Sequence, residues 1–110
     1  MLSLNEKYYY FKACFLKCSS SLLEKSDEEI KYTIYEDVVI DIVSFVHRDT
    51  LELFLSEGMI DLDIYYMSLS FREKFMDLER RNFSAQKIRD SKDWKCLFSL
   101  SDEIIIQLYF

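Results

Sequence analysis

The chain has 110 residues and a formal net charge of −6, a size at which one domain can bury an apolar core. Half of its residues are hydrophobic and 31% are charged, a composition that argues against disorder. One glycine and no proline are too few for the turns of a β-sandwich or barrel and for phosphate-binding loops. We therefore expect a single all-α domain over residues 1–110, a compact bundle of about five helices.

The sequence also bears on the cellular compartment. No segment approaches the roughly 20 apolar residues of a membrane-spanning helix, and charges at Glu6, Lys7, Lys12 and Lys17 interrupt the first apolar stretch. The three cysteines are an odd number, which does not suggest a disulfide framework. These observations predict a cytoplasmic protein without membrane contact and with reduced thiols.

The first helix is predicted over residues 4–23. Six residues recur three or four positions apart and share one face, namely Leu4, Tyr8, Phe11, Phe15, Cys18 and Leu22. A second helix can begin at Ser26, which has the capping-box spacing with Glu29. Residues 32–46 combine helical spacing with the β-branched and aromatic residues typical of strands, so the sequence leaves helix and strand open there.

The next helix is predicted over residues 50–57. Asp49 and Glu52 have the spacing of a cap pair at its start. Gly58 can adopt the left-handed conformation that ends a helix. We therefore expect a short helix bounded by these residues.

The clearest helical pattern predicts a helix over residues 62–80, with Asp61 as its cap. A short helix over residues 84–89 and a last helix that begins at Asp90 or Ser91 follow. The apolar faces of the last two long helices predict three buried aromatic residues, Phe71, Phe75 and Trp94.

The sequence offers no pattern for catalysis. His47 is the only histidine, so one chain cannot build a paired-histidine site, and we expect neither an enzyme nor a cofactor. Cys14, Cys18 and Cys96 could bind zinc together with His47 if the fold brought them close. Because Cys14 and Cys18 lie one helical turn apart on an apolar face, packing in the core is the favoured interpretation.

The negative charge is concentrated in residues 24–63, where twelve acidic and three basic residues give −9, whereas residues 1–23 give +2 and residues 64–110 give +1. Such a stretch repels nucleic acid and attracts a basic protein. A solvated face that only confers solubility is the alternative. The candidate partner-binding residues are Asp37, Asp41, Asp49, Glu52, Glu57, Asp61 and Asp63. Asp37 and Asp41 have no predicted capping role, so we expect their reversal to lysine to leave the fold intact.

The last two thirds of the chain carry a distinctive set of residues at helical spacing. They are Phe45-Val46-His47, Leu51, Leu55, Gly58-Met59-Ile60, Arg72-Glu73-Lys74-Phe75, Leu78, Trp94, Phe98 and Asp102-Glu103-Ile104. This pattern resembles small helical immunity proteins of bacterial contact-dependent growth inhibition and related polymorphic toxin systems. The resemblance implies a non-enzymatic protein that binds and neutralises the toxin domain encoded beside it, often a nuclease.

We therefore expect an immunity protein whose acidic residues occlude a basic toxin. Two alternatives remain open from the sequence. The first is a nucleic-acid mimic that blocks a DNA-binding enzyme through the same acidic residues. The second is a small metal-binding helical protein that uses Cys14, Cys18, Cys96 and His47.

Overall fold

The computed structural model describes residues 1–110 and contains six helices, one short 3-10 helix and no strand. Helices α1 to α6 comprise Leu4–Lys17, Asp27–Phe45, Arg48–Ser56, Leu62–Arg80, Ala85–Asp90 and Lys92–Tyr109. The 3-10 helix Ser20–Glu24 lies between α1 and α2. The all-α prediction is confirmed, with six helices where about five were expected.

Serine and aspartate side chains cap five of the six helices. Each accepts a hydrogen bond from the backbone amide three residues further along, which satisfies a donor that the first helical turn leaves free. These caps are Ser3, Ser26, Asp61, Ser84 and Ser91. The helix starts predicted at Ser26, Asp61, Ser84 and Ser91 are therefore confirmed.

Helix α3 begins differently from the prediction. Its cap is His47, whose Nδ1 atom accepts a hydrogen bond from the Asp49 amide at 3.2 Å. The predicted Asp49–Glu52 cap pair is therefore wrong, because His47 occupies the capping position two residues earlier. Gly58 does adopt the left-handed conformation, with φ of 74°, just after the helix.

Helix α1 ends at Lys17, six residues before the predicted end. The serine run that follows bonds locally: the Ser19 hydroxyl donates to the Leu16 carbonyl oxygen at 3.2 Å and lies 2.8 Å from the Ser21 hydroxyl. Serine hydroxyls compete in this way with helical hydrogen bonds. The chain continues as a 3-10 helix that still buries Leu22.

Helix α2 keeps a straight apolar face because its centre is π-helical. Its core residues recur at every fourth position, as Ile30, Ile34, Val38, Ile42 and Val46. Four residues of a regular α-helix turn about 40° beyond one full turn, so four such steps would carry the face about 160° away from the core. The segment Thr33–Val38 is π-helical, which turns less per residue and cancels this drift. Residues 32–46 are therefore helical rather than strand, apart from the helix end at Val46.

The core lies where α4 and α6 pack along each other, with α1 against α6 and the second half of α2. Phe71, Phe75 and Trp94 are fully buried there, as predicted. The Trp94 and Phe75 rings meet edge to face with centroids 6.0 Å apart. Helix α3 packs on α4, and α5 packs on the first segment of α2.

Candidate protein-binding surface

The acidic stretch of residues 24–63 does not form one face. Helix α2 runs through its middle and is about 28 Å long at 1.5 Å per residue, so the carboxylates before and after the helix are far apart. Asp37 and Asp41, in the middle, pair with Lys17 of another helix; Asp41 is nearly buried, whereas the Asp37 side chain is 35% exposed. The stretch therefore divides into three groups with different surroundings.

The middle group is an ion-pair cluster between α1 and α2. Lys17 Nζ lies 3.1 Å from Asp37 Oδ1 and 2.8 Å from Asp41 Oδ2. Burial alone lowers the pKa of Lys17, but the hydrogen bonds to Asp41 and Asp37 outweigh it, so the pKa is raised. Asp41 is only 8% exposed. Both carboxylates bind Lys17 within the chain, so we leave them out of the partner-binding surface.

This cluster changes what their substitution means. Reversing Asp37 or Asp41 would place a second cation beside Lys17 and would leave one carboxylate to compensate two cations. The expectation that these reversals leave the fold intact does not fit this geometry. The sequence could not show it, because Lys17 lies on a different helix, 24 positions before Asp41.

The last group of carboxylates lies on the α3–α4 hairpin and is free of ion pairs with Lys or Arg. Residues 47–70 contain five acidic residues and one basic residue, Arg48, which gives a net charge of −4. We use the name acidic hairpin surface for the five carboxylates and their exposed apolar neighbours, Asp49, Glu52, Leu53, Glu57, Asp61, Leu62, Asp63 and Tyr66.

Helix α3 presents its part of this surface because its apolar residues are turned inward. Leu51 and Phe54 are fully buried. Helix residues one or two positions from Leu51 or Phe54 lie on a different side of the helix. Asp49, Glu52 and Leu53 are such residues and are exposed to solvent. Leu53 is an apolar residue on the solvent side, 48% exposed.

The first turns of α4 are arranged in the same way. Ile64 and Tyr65 are buried, whereas Leu62, Asp63 and Tyr66 are exposed. Leu62 and Tyr66 expose 57% and 64% of their surface. Tyrosine is a common anchor in protein interfaces, so Tyr66 is the candidate anchor of this surface, and the two leucines add apolar area beside it.

Several contacts hold the two parts of the surface in place. The Tyr65 hydroxyl donates to Glu52 Oε1 at 3.4 Å, and its ring meets Tyr66 edge to face. The Tyr8 hydroxyl of α1 donates to the Met59 carbonyl oxygen at 3.1 Å in the connecting loop. The hairpin is therefore fixed to the rest of the bundle before any partner binds, which lowers the entropic cost of binding.

The end of α2, where the hairpin begins, is also fixed. Arg72 Nη1 of α4 donates to the carbonyl oxygens of Ile42 at 3.1 Å and of Val46 at 3.5 Å. A cation at a helix C-terminus stabilises the free carbonyl groups there. Arg72 therefore helps to set where α3 starts, although its position in the sequence pattern did not reveal this role.

The five hairpin carboxylates differ in structural role. Asp61 caps α4, with its Oδ1 atom 2.9 Å from the Ile64 amide nitrogen. Asp49 does not cap α3, because His47 does. Asp49, Glu52 and Asp63 are therefore the carboxylates that can be changed with the least effect on a helix end.

The four residues of the alternative zinc site are not brought together. Cys14 and Cys18 are fully buried in the core, where burial raises the pKa of both thiols. Cys96 is exposed in an open cleft of about 360 Å³ between α4 and α6, and His47 is occupied as the cap of α3. No group of three or more His, Cys, Asp or Glu side chains is placed to hold a metal ion.

Comparison with protein-family models, curated proteins and solved structures gives no match to this chain. No helix of the chain is both long enough and apolar enough to cross a membrane.

Proposed function

We propose that this chain is an immunity protein that binds a cognate bacterial toxin domain, a nuclease, and neutralises it by occlusion without catalysis. The observation that carries the proposal is the acidic hairpin surface, where five carboxylates form no ion pair with lysine or arginine within the chain. Carboxylates left free on a fixed surface can all be used by a basic partner. The family resemblance of residues 45–110 supports the same function.

A nuclease suits the charge of this surface. An enzyme that binds nucleic acid presents lysine and arginine side chains to the phosphates, and carboxylates can occupy those side chains instead. Steering between opposite charges also accelerates association. The exposed Leu53, Leu62 and Tyr66 would provide apolar contact area that charge alone does not supply.

The same apolar residues favour a specific protein interface over mimicry of nucleic acid. A mimic relies on rows of negative charge, whereas here the ion-pair cluster at Lys17 interrupts the charge between the two ends of α2. The hairpin instead combines charge with leucine and tyrosine. We therefore retain toxin binding as the proposed function.

The test uses the toxin C-terminal domain that we expect to be encoded beside this gene. The test variant reverses Asp49, Glu52 and Asp63 to lysine. The matched control reverses Glu73, Asp93 and Glu103, which are exposed and unpaired, so both variants gain six units of positive charge. Binding to the purified toxin is measured by surface plasmon resonance at low and high salt, with circular dichroism as a check of folding.

We expect the hairpin variant to lose at least about 100-fold in affinity, since three charge contacts at about 1 kcal/mol each would exceed that factor. The control should keep most of the affinity, and association of the unmodified protein should slow as salt rises. An equal loss in the two variants would show that only net charge matters. A neighbouring gene without a toxin domain would argue against the function itself.

A further inference from the structure

The exposed side of α2 carries apolar residues that no other part of the chain covers. They are distinct from the apolar residues of the acidic hairpin surface. Tyr32, Ile40 and Val43 expose between 51% and 63% of their surface. Glu28, Glu29 and Glu36 lie on the same helix, are exposed and form no ion pair. We call these six residues the α2 ridge. The ridge is separate from the acidic hairpin surface, which begins only after α2 ends.

The π-helical segment straightens the α2 ridge in the same way as it straightens the core face of the helix. Tyr32, Glu36 and Ile40 are four positions apart, and this spacing stays in line where the helix turns less per residue. In a regular α-helix the same residues would wind around the axis by about 40° at each step. A straight row of side chains can lie along a second helix over several turns.

The charge of the ridge indicates what can cover it. Lys31, the one cation among these positions, is turned away: its Nζ atom donates to the Phe83 carbonyl oxygen at 2.8 Å and lies 4.5 Å from the centre of the Tyr35 ring. Glu28, Glu29 and Glu36 form no ion pair within the chain, although Glu29 lines a cleft together with Lys17 and Lys25. The ridge therefore presents a net negative charge. A second copy of the chain would bring like charges together, which is unfavourable.

We propose that the α2 ridge binds a cationic amphipathic helix of a partner protein. Aliphatic side chains of that helix, spaced three and four residues apart, would pack on Tyr32, Ile40 and Val43. Its flanking lysine or arginine residues would pair with Glu28, Glu29 and Glu36. This interaction does not depend on the toxin or on the acidic hairpin surface.

The probe is a synthetic amphipathic peptide of about 18 residues, five turns of helix, made of leucine and lysine. A second peptide of the same composition with a scrambled order has no apolar face. Binding is measured by fluorescence anisotropy at physiological salt. The test variant is Ile40→Ser, and the matched control is Ile106→Ser on α6, because the two isoleucines have similar exposure, 62% and 58%.

We expect Ile40→Ser to weaken binding of the amphipathic peptide about tenfold, the effect of losing about half of an isoleucine contact, while Ile106→Ser leaves it unchanged. Circular dichroism should show the same helix content in both variants. The proposal is overturned if the scrambled peptide binds equally well, if the two variants behave alike, or if no peptide binds. It is also overturned if ultracentrifugation shows a dimer that Ile40→Ser dissociates. Because the assay contains no toxin, its failure is separate from failure of the proposed function.

Discussion

The ion-pair cluster at Lys17 and the acidic hairpin surface contain the same kind of residue from the same acidic stretch, yet their carboxylates have opposite surroundings. Asp41 is 8% exposed and lies 2.8 Å from a lysine, whereas the hairpin carboxylates are exposed and have no lysine or arginine partner. The first group connects two helices. The second leaves its charge exposed to solvent.

The difference follows from the apolar faces of the helices. On α2, the core residues Val38 and Ile42 turn Asp37 and Asp41 toward the end of α1, where Lys17 lies. On α3, Leu51 faces the core and turns Asp49 toward solvent. Net charge along a sequence therefore does not locate a binding surface until the direction of each helix face is known.

Among substitutions that remove a single charge, the largest stability effect is expected for Lys17→Met. It leaves Asp41 almost buried and without its cation, which should cost about 2 kcal/mol of the free energy of unfolding; the figure is below that for a fully buried pair because the Lys17 side chain is 36% exposed. Urea unfolding provides the measurement. The control Lys95→Met removes a charge from an exposed position and should cost less than about 0.5 kcal/mol. Equal costs would show that the cluster adds no stability.

We expect the stability that Lys17 contributes to depend on pH only in alkaline solution. The folded pKa of Lys17 is raised above its ordinary value of 10.5, so the stabilisation is fully present below pH 10.5 and is lost as the pH rises through the raised pKa. The difference in free energy of unfolding between the unmodified protein and Lys17→Met, called the stability gap, should stay constant from pH 8 to about 10 and then shrink. Unfolding curves at several pH values measure it. A gap that persists at the highest pH would mean that packing of the lysine stem, rather than its charge, stabilises the fold.

The smallest stability effect is expected for Asp49→Lys. Because His47 provides the cap of α3, the substitution removes only a favourable charge from the first turn and should cost less than about 1 kcal/mol. Asp41→Lys, the same substitution in the ion-pair cluster, should cost more than about 2 kcal/mol. Thermal unfolding of the two variants compares them directly. The reverse order would contradict the assignment of the two groups.

The sequence predicted most helix ends, because a cap is a local feature. The bounds of α4 and the caps Ser26, Asp61, Ser84 and Ser91 follow from residues within one turn of each other. His47 was missed as a cap because the more usual cap residue Asp49 follows it. The π-helical segment was missed too, although the apolar spacing of four that runs through it was visible in the sequence.

The site was predictable only in part. The charge map found the hairpin carboxylates, since they adjoin each other in the sequence. It could not separate them from Asp37 and Asp41, because the cation that pairs with those residues comes from α1. It also gave no signal for Leu53 and Leu62, which lie off the apolar faces and become evident only from their exposure.

The π-helical segment has a consequence for how this chain tolerates changes in length. Deleting one residue from a regular helix rotates everything after it by about 100° relative to what came before. In α2, deletion of Glu36 would change the spacing of the core residues from four, four, four and four to four, three, four and four. That spacing is ordinary for an α-helix, so Val38, Ile42 and Val46 would still face the core. Thr33–Val38 is therefore the place where a shorter version of this protein could lose a residue and keep its fold.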